Sequence, residues 1–516
     1  VLAGRLPRRT PSLRLLESRW APPAVGAVAS ALHTWVFGGL RAPPAIHDEA
    51  AYVLQARIFA SGRWAGPPPP LPEFFEQWHV FVTPALAPKY PPGHALVMVP
   101  GAWLGLPGLM PVLLTGFSAA LLFALARRLA GPGTALAAAG LWMTAPGVLR
   151  WLPTYFSETT TTALWLLGWW LLLRWRETRR PGLLVALSMA VALGGITRPI
   201  TMIVYAVPVA AVVLRDVVKL RLWRQTAVAL AAGLAVCSIV PLWGAGTLGD
   251  WRRNPYSEYS RVYFPFDVPG VGADTTPPLR PLPPDMQKWM EMGGALRAEH
   301  VPAAMPRALA VRARAIWVGA FHHWRLFLAV AALVGLVGAP AAAYLALATA
   351  LALLPAYLVF YTPPAPGLYY VEAQTVLAFF AALGLARVAG VYARWLDREG
   401  GAARREWVVA ALVLAMVPSM AYDADLARLG KRGGRWRLRA FQESIQSLPG
   451  RSIVFVRFAP NHNFHQSVIR NEPDASRARA WIVYDRGADN ARLMRVAPDR
   501  VPFLYDEASG KLTRLR

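Results

Sequence analysis

Residues 158–180 read ETTTTALWLLGWWLLLRWRETRR, and this stretch decides what kind of chain this is. From Thr159 to Leu173 there is no charge, and Arg174, Arg176, Arg179 and Arg180 then follow in quick succession. An apolar run closed by a basic cluster is how a membrane-crossing helix meets its cytoplasmic loop. The arrangement recurs at Val408–Val417, which Arg404 and Arg405 precede.

Composition agrees. The 516 residues carry 54 Lys and Arg against 29 Asp and Glu, a formal net charge of +25, yet only 16% are charged and 55% are hydrophobic. A nucleic-acid binder of that charge would gather its basic residues on polar faces and lack long apolar runs, so nucleic acid is excluded as a partner. The single cysteine, Cys237, excludes an intramolecular disulfide and a thiol–metal cluster. The chain reads as an all-α polytopic membrane protein.

A helix needs about 20 mostly apolar residues to cross the hydrocarbon core. Such stretches lie near 21–40, 94–126, 133–151, 159–174, 182–197, 200–214, 226–246, 315–337, 340–361, 368–389 and 407–421. They predict about eleven transmembrane helices. Pro100, Pro107 and Pro111 interrupt the second, whose first half is expected to dip into the interface before the crossing begins. The basic segment Arg5–Arg19 has no soluble region directly behind it, which predicts that the first span is retained rather than cleaved.

Arg127–Arg128 and the basic runs 174–180, 215–224 and 387–405 all fall on the cytoplasmic side when the amino terminus does. The same counting puts 41–93, 152–158, the Thr197–Pro199 turn, 247–314, 362–367 and everything after 421 outside. The expected organisation is a transmembrane region over 1–421 with outer loops 41–93 and 247–314, in the inner (cytoplasmic) membrane. Residues 430–516 are expected to form a small soluble α/β domain on the extracytoplasmic side. Within it Ser452–Phe458 and Ala480–Tyr484 read as strands, Phe441–Ser447 and Ala491–Val496 as helices, and Asp506–Gly510 as the turn of a terminal hairpin.

Chemistry-bearing residues gather in the outer loops. The first loop opens with His47-Asp48-Glu49. If 47–61 is helical, Asp48, Tyr52, Gln55 and Phe59 share one stripe, a carboxylate backed by a tyrosine and an amide that suits a hydroxyl-bearing ligand. The loop closes with Lys89-Tyr90-Pro91-Pro92-Gly93-His94, a rigid turn in which Lys89 is either a snorkelling anchor or a phosphate ligand. Glu158 follows Ser157 at the mouth of the Thr-rich span; one of the two could cap that helix, and a carboxylate so near hydrocarbon otherwise needs a wet cavity or a partner. Arg198, in Thr197-Arg198-Pro199, breaks the positive-inside pattern and could pair with Glu158 or grip an anionic headgroup. His322-His323 and Tyr369-Tyr370-Val371-Glu372 are weaker pointers, with an anchoring role favoured for the histidines. His462 and His465 have metal-compatible spacing but no evident third ligand, so a surface role is expected.

Together, the acidic pair after the first span, the Tyr90-Pro91-Pro92-Gly93 turn, Ser157-Glu158 and Thr197-Arg198-Pro199 resemble the GT-C membrane glycosyltransferases. The bacterial branch related to protein O-mannosyltransferases and to the lipid A aminoarabinose transferase is the most similar. The pattern covers roughly the first two hundred residues. The resemblance implies an inverting transfer of a sugar from a polyprenyl-phosphate carrier to an acceptor at the outer membrane face. It puts Asp48 in the place of the first-loop catalytic acid with Glu49 beside it, Glu158 in that of the second-loop acid, and Lys89 in that of the lysine on the donor phosphate. An arginine found in that branch three residues after the first acid is Ala51 here, so either Arg57 or Arg198 substitutes for it or donor binding differs.

The residues make the same chemistry sensible on their own. A departing phosphate needs charge neutralisation, which Lys89 and Arg198 could supply, and an acceptor hydroxyl needs a base such as Asp48. Tyr52, Gln55, Arg57, Tyr90, His322 and Tyr369 are the candidates for substrate binding. No nucleotide-binding Gly-rich loop is present, which favours a lipid-linked donor. A divalent cation is left open, because related enzymes differ, and no motif names the acceptor, which could be a lipid, a glycan or a protein. The alternatives are a flippase for a lipid-linked glycan, disfavoured because the charges collect at one surface rather than at mid-membrane depth, and an inactive scaffold of the same fold.

Overall fold

The computed structural model describes residues 11–322, 325–361, 366–396 and 401–515. Part of the basic segment 5–19, His323, most of the expected 362–367 loop and part of the 387–405 basic run lie outside them. Helices dominate, and many start on proline, whose missing N–H costs nothing in the first turn: Pro92–Trp103, Pro132–Met143, Pro146–Trp151, Pro181–Gly195 and Pro199–Leu220. Each expected span coincides with a helix or a helix pair. Among the described residues four helices are long and apolar enough to cross a membrane: Leu109–Ala130, Pro199–Leu220, Trp223–Leu248 and Ala373–Tyr392. The second and third of these leave Ile203, Val207, Leu214, Leu230 and Leu234 exposed, an apolar face suited to lipid.

The proline-interrupted segment divides as its sequence predicts. Pro92–Trp103 has 12 residues, which at a rise of 1.5 Å gives about 18 Å, short of the ~30 Å hydrocarbon core. After a turn through Gly105 (φ 64°) the chain enters the 22-residue helix Leu109–Ala130.

Two expected boundaries are corrected. The stretch 315–337 holds not one continuous helix but parts of two, Met305–Phe321 and Leu326–Leu336, parted at His322. The break lets buried Arg325 turn to Asp423, 2.5 Å away, and to Ser419 at 2.9 Å. The stretch 407–421 belongs to a longer helix, Gly401–Gly433. It continues because the residues past 421 find partners: Asp423 takes Arg325, and Lys431 Nζ donates to the carbonyls of Arg150 (2.9 Å) and Pro153 (3.1 Å). Helices Leu326–Leu336 and Ala373–Leu396 approach closely through glycines, since a Cβ on Gly384 would lie 1.7 Å from Ala331 O.

Two small sheets accompany the helices. In the first long loop, strands β1 (Val80–Phe81) and β2 (Ala87–Pro88) pair antiparallel. The C-terminal α/β region has β3 (Ser452–Arg457), β4 (Ala480–Tyr484), β5 (Val501–Asp506) and β6 (Lys511–Arg514) in the order β4-β3-β5-β6. The first three are parallel, and β6 closes the expected hairpin antiparallel to β5. Its helices are Trp436–Gln446, which begins five residues before the expected start at Phe441, and Asn490–Val496. This region rests on both long loops through Asp285, whose carboxylate accepts from Tyr484 Oη and from Trp78 Nε1, each at 2.8 Å.

Candidate active site

The helix His47–Ala60 begins where the first long loop leaves the helix Ala21–Phe37, and its periodicity sets the site's first wall. Asp48, Tyr52 and Gln55 all face Tyr90, held by the Pro91-Pro92 turn. Tyr90 Oη donates to Asp48 Oδ1 at 2.5 Å, Gln55 Nε2 donates to the Tyr90 carbonyl at 2.7 Å, and the Tyr52 and Tyr90 rings stack at 4.2 Å. The expected stripe is a continuous contact surface around one tyrosine. Its last member, Phe59, packs instead on Trp64 at 5.2 Å.

From Tyr52 the network runs inward. Tyr52 Oη donates to Ser157 Oγ (3.2 Å), which donates to Glu158 Oε2 (3.4 Å). Arg198 Nη1 closes on Glu158 Oε1, and Arg198 Nη2 donates to Tyr357 Oη at 3.0 Å. Tyr369 lies with its ring 5.5 Å from the guanidinium. Ser157 precedes the helix Glu158–Thr178 without capping it through its side chain, so Glu158 is retained by its cation rather than by a cap. Nearby, buried Glu372 accepts from Thr161 Oγ1 at 2.7 Å.

Lys89 forms the third wall. It is only 2% exposed; its Nζ donates to Asp267 Oδ2 at 3.1 Å and lies 4.8 Å and 5.0 Å from the rings of Tyr256 and Tyr259. This is not a snorkelling anchor. It is an ammonium in an aromatic box, and Asp267 of the second long loop is its counter-ion. Asp48 and Asp267 keep 25% and 21% of their side-chain surface, so the cluster opens at these two carboxylates.

Histidines complete the fourth side. His47 Nδ1 lies 2.9 Å from Asp48 Oδ2, and His79 Nε2 lies 3.4 Å from Asp48 Oδ1. Burial pushes the Asp48 carboxyl up, but the charges of His47 and His79 and the Tyr90 hydrogen bond outweigh it and hold it well below the usual range. Burial, then the Lys89 charge, pulls His79 down. His465, from the C-terminal region, meets His47 with 3.0 Å between its Nδ1 and His47 Nε2. Burial, with His47 beside it, lowers His465 to about 4.

The structure thus brings together Asp48, Tyr52, Gln55, Lys89, Tyr90, Glu158, Arg198 and Tyr369, and sets three candidates elsewhere. Glu49 is turned the other way: its carboxylate accepts the backbone N–H groups of Ala45 (2.5 Å) and Tyr155 (3.2 Å), tying the helix start to the loop before Glu158. Arg57 pairs with Glu472 on the surface of the C-terminal region, so it does not take the place of the arginine replaced by Ala51. His322 lies beside the Arg325–Asp423 pair. His462 is not a surface residue either, since its buried side chain meets Glu507 at 2.8 Å. Sequence reasoning passed over Asp267, Tyr256, Tyr259, Tyr357, His79 and the inward role of His465. For Tyr256, Tyr259 and Asp267 the only signal was the density of aromatics and prolines in 247–314.

Residues 107–244 match the family described as dolichyl-phosphate-mannose-protein mannosyltransferase, a stretch that includes Glu158 and Arg198 but neither Asp48 nor Lys89. No curated protein matches the chain by sequence. By structure the chain is similar to ArnT from Cupriavidus metallidurans bound to undecaprenyl phosphate, with a TM-score of 0.52 and 16% identity over 94% of this chain and 89% of that one. The chain shares the GT-C fold of these membrane glycosyltransferases. The apo form of the same ArnT gives a TM-score of 0.51 at 16% identity, over 93% of this chain and 88% of that one. The Archaeoglobus fulgidus oligosaccharyltransferase in its apo form is more distant, at 0.43 and 13% identity, over 90% of this chain and 65% of that one. The GT-C fold and the apolar helices make this a multi-pass membrane protein.

Proposed function

We propose that this GT-C protein is an inverting glycosyltransferase that moves a sugar from a polyprenyl-phosphate donor to an acceptor on the extracytoplasmic side of the inner membrane. The reading takes the amino terminus as cytoplasmic, residues 1–421 as the membrane region and 430–516 as an outer domain. One observation carries it: Asp48, Lys89 and the Glu158–Arg198 pair, drawn from separate parts of the chain, meet around the Tyr52–Tyr90 stack. The ArnT relative is bound to undecaprenyl phosphate, which supports a lipid-linked donor here.

In this reading Asp48 Oδ1 receives the proton of the acceptor hydroxyl as that oxygen attacks the anomeric carbon. Tyr90 fixes the carboxylate's orientation. The bond to the phosphate breaks on the opposite face, and the growing negative charge on the phosphate is met by Lys89 and Arg198. Each cation already faces a carboxylate, Asp267 or Glu158, so the donor phosphate joins an existing ion pair and Lys89 shifts from Asp267 towards it. Glu158 keeps Arg198 in place and, through Ser157 and Tyr52, links it to the base side. Tyr369 and Tyr357 wall the arginine, whereas Glu49 and Arg57 serve structure.

The test supplies purified protein in detergent with a panel of polyprenyl-phosphate sugars and measures free polyprenyl phosphate. Release by the wild type and none by Asp48→Asn, at equal expression and thermal midpoint, is the expected result. Full release by Asp48→Asn removes Asp48 from the mechanism.

A further inference from the structure

Two imidazoles converge on the carboxylate of the proposed base in a way that transfer chemistry does not require. His47, Asp48 and His79 each offer one ligand atom, and these atoms lie within 4.8 Å of one another. The nearest approaches to Asp48 are 2.9 Å from His47 Nδ1 to Oδ2 and 3.4 Å from His79 Nε2 to Oδ1. Bonds of about 2.0–2.2 Å in tetrahedral geometry place ligand atoms roughly 3.3–3.6 Å apart, so the set closes around an ion by contracting from within 4.8 Å to that spacing.

The histidines are otherwise poorly served. His47 and His79 are each 7% exposed; His79 Nδ1 has no hydrogen-bond partner, and His47 Nδ1 and His79 Nε2 both face the Asp48 carboxylate. Buried polar nitrogens are normally satisfied, and two imidazoles that share one carboxylate offer a ligand set. His79 also holds a left-handed backbone (φ 61°), uncommon for a residue with a side chain. It is fixed there by its N–H to Tyr259 Oη and its carbonyl from the Lys89 N–H, each at 2.8 Å. His47 is oriented from behind, its Nε2 at 3.0 Å from His465 Nδ1 and its ring stacked 4.7 Å from Trp78. A ligand histidine whose second nitrogen is held by another polar group is the usual outer-shell pattern of a metal site.

We infer that His47, Asp48 and His79 bind a divalent transition metal of the zinc class, with His465 as a positioning residue on His47. Two imidazoles select against calcium and magnesium, which prefer all-oxygen sites. Three protein ligands leave a position for an exchangeable oxygen, as in catalytic rather than structural zinc sites. One oxygen of Asp48 suffices for the ion, and the other keeps the Tyr90 hydroxyl. The site shares Asp48 with the proposed transfer reaction, on which it otherwise does not depend.

The test uses full-length protein purified without a histidine tag, stripped with chelator and titrated with Zn²⁺, the bound metal being counted by mass spectrometry. Co²⁺ in its place reports coordination by visible absorption. Wild type is expected to take one ion tightly and to rise in thermal midpoint with added zinc. His79→Ala is expected to lose that ion, and His465→Phe to bind it about 10–100-fold more weakly, the usual cost of removing an outer-shell partner. His462→Ala, changed at a histidine outside the set, is expected to keep the stoichiometry. Unchanged binding in His79→Ala overturns the assignment; should that variant not fold, so does a wild-type midpoint that zinc does not move. Because no sugar donor enters these measurements, their failure is separate from failure of the transfer reaction.

Discussion

Tyr90 Oη donates a 2.5 Å hydrogen bond to Asp48 Oδ1 while its ring stacks on Tyr52, so one side chain orients the proposed base and joins it to the Glu158 side. Tyr90→Phe removes the first function and keeps the second. A hydrogen bond to a charged group is worth about 1.5–3 kcal/mol, so transfer should slow roughly 10–100-fold. The thermal midpoint should stay near wild type. Both are read on the same preparation, and an unchanged rate would show that the carboxylate needs no such hold.

The Glu158–Arg198 pair is nearly sealed, with side chains 2% and 10% exposed. Removing one partner of a buried pair typically costs about 3–5 kcal/mol, because the survivor is left charged and alone. Arg198→Ala should therefore lower the midpoint sharply. The double variant Glu158→Leu with Arg198→Met should recover much of that loss. It should not recover transfer, since the phosphate then meets no guanidinium. Recovery of both would assign the pair to structure alone.

Lys89 is enclosed by Asp267, Tyr256 and Tyr259. Lys89→Met keeps the length and removes the charge, and donor KM should rise at least about tenfold, or ~1.4 kcal/mol of lost phosphate binding. Lys89→Arg should not restore it, because a planar guanidinium is larger than the box that fits an ammonium. Initial rates against donor concentration decide the point.

Glu49 supplies a control one residue from the proposed base. Its partners are two backbone amides, so Glu49→Ala should cost about 1–3 kcal/mol of stability as those buried donors lose their acceptor. Turnover per folded molecule should persist. Loss of turnover at full stability would restore Glu49 to the chemistry.

Asp285 holds two buried donors, Trp78 Nε1 and Tyr484 Oη. Asp285→Ala leaves both unsatisfied, at about 1–3 kcal/mol each. The C-terminal sheet should then loosen from the loops, measured as faster cleavage after residue 433 under limited proteolysis.

What could be read from the residues alone follows the range of the interactions. The Asp48–Tyr52–Gln55 stripe was legible because helical periodicity is local, and the Lys89–Pro92 turn because proline restricts its own backbone. The β5–β6 hairpin announced itself through its turn. The ion pair of Arg198 with Glu158 could be anticipated because a lone guanidinium at an apolar boundary needs a partner. Asp267, Tyr357 and His465 could not, since nothing near them in the chain encodes what they meet. The break at His322 was hidden for the same reason: nothing near Arg325 in the chain names its partner, and it finds Asp423 only after 98 residues.

His465 reaches His47 across 418 positions. A ribosome delivers His47 first and that imidazole 418 residues later, after the helices between them have been threaded into the bilayer. Until then the nascent polypeptide is anchored but chemically unfinished, and a product truncated before residue 465 would occupy membrane without ever assembling this centre.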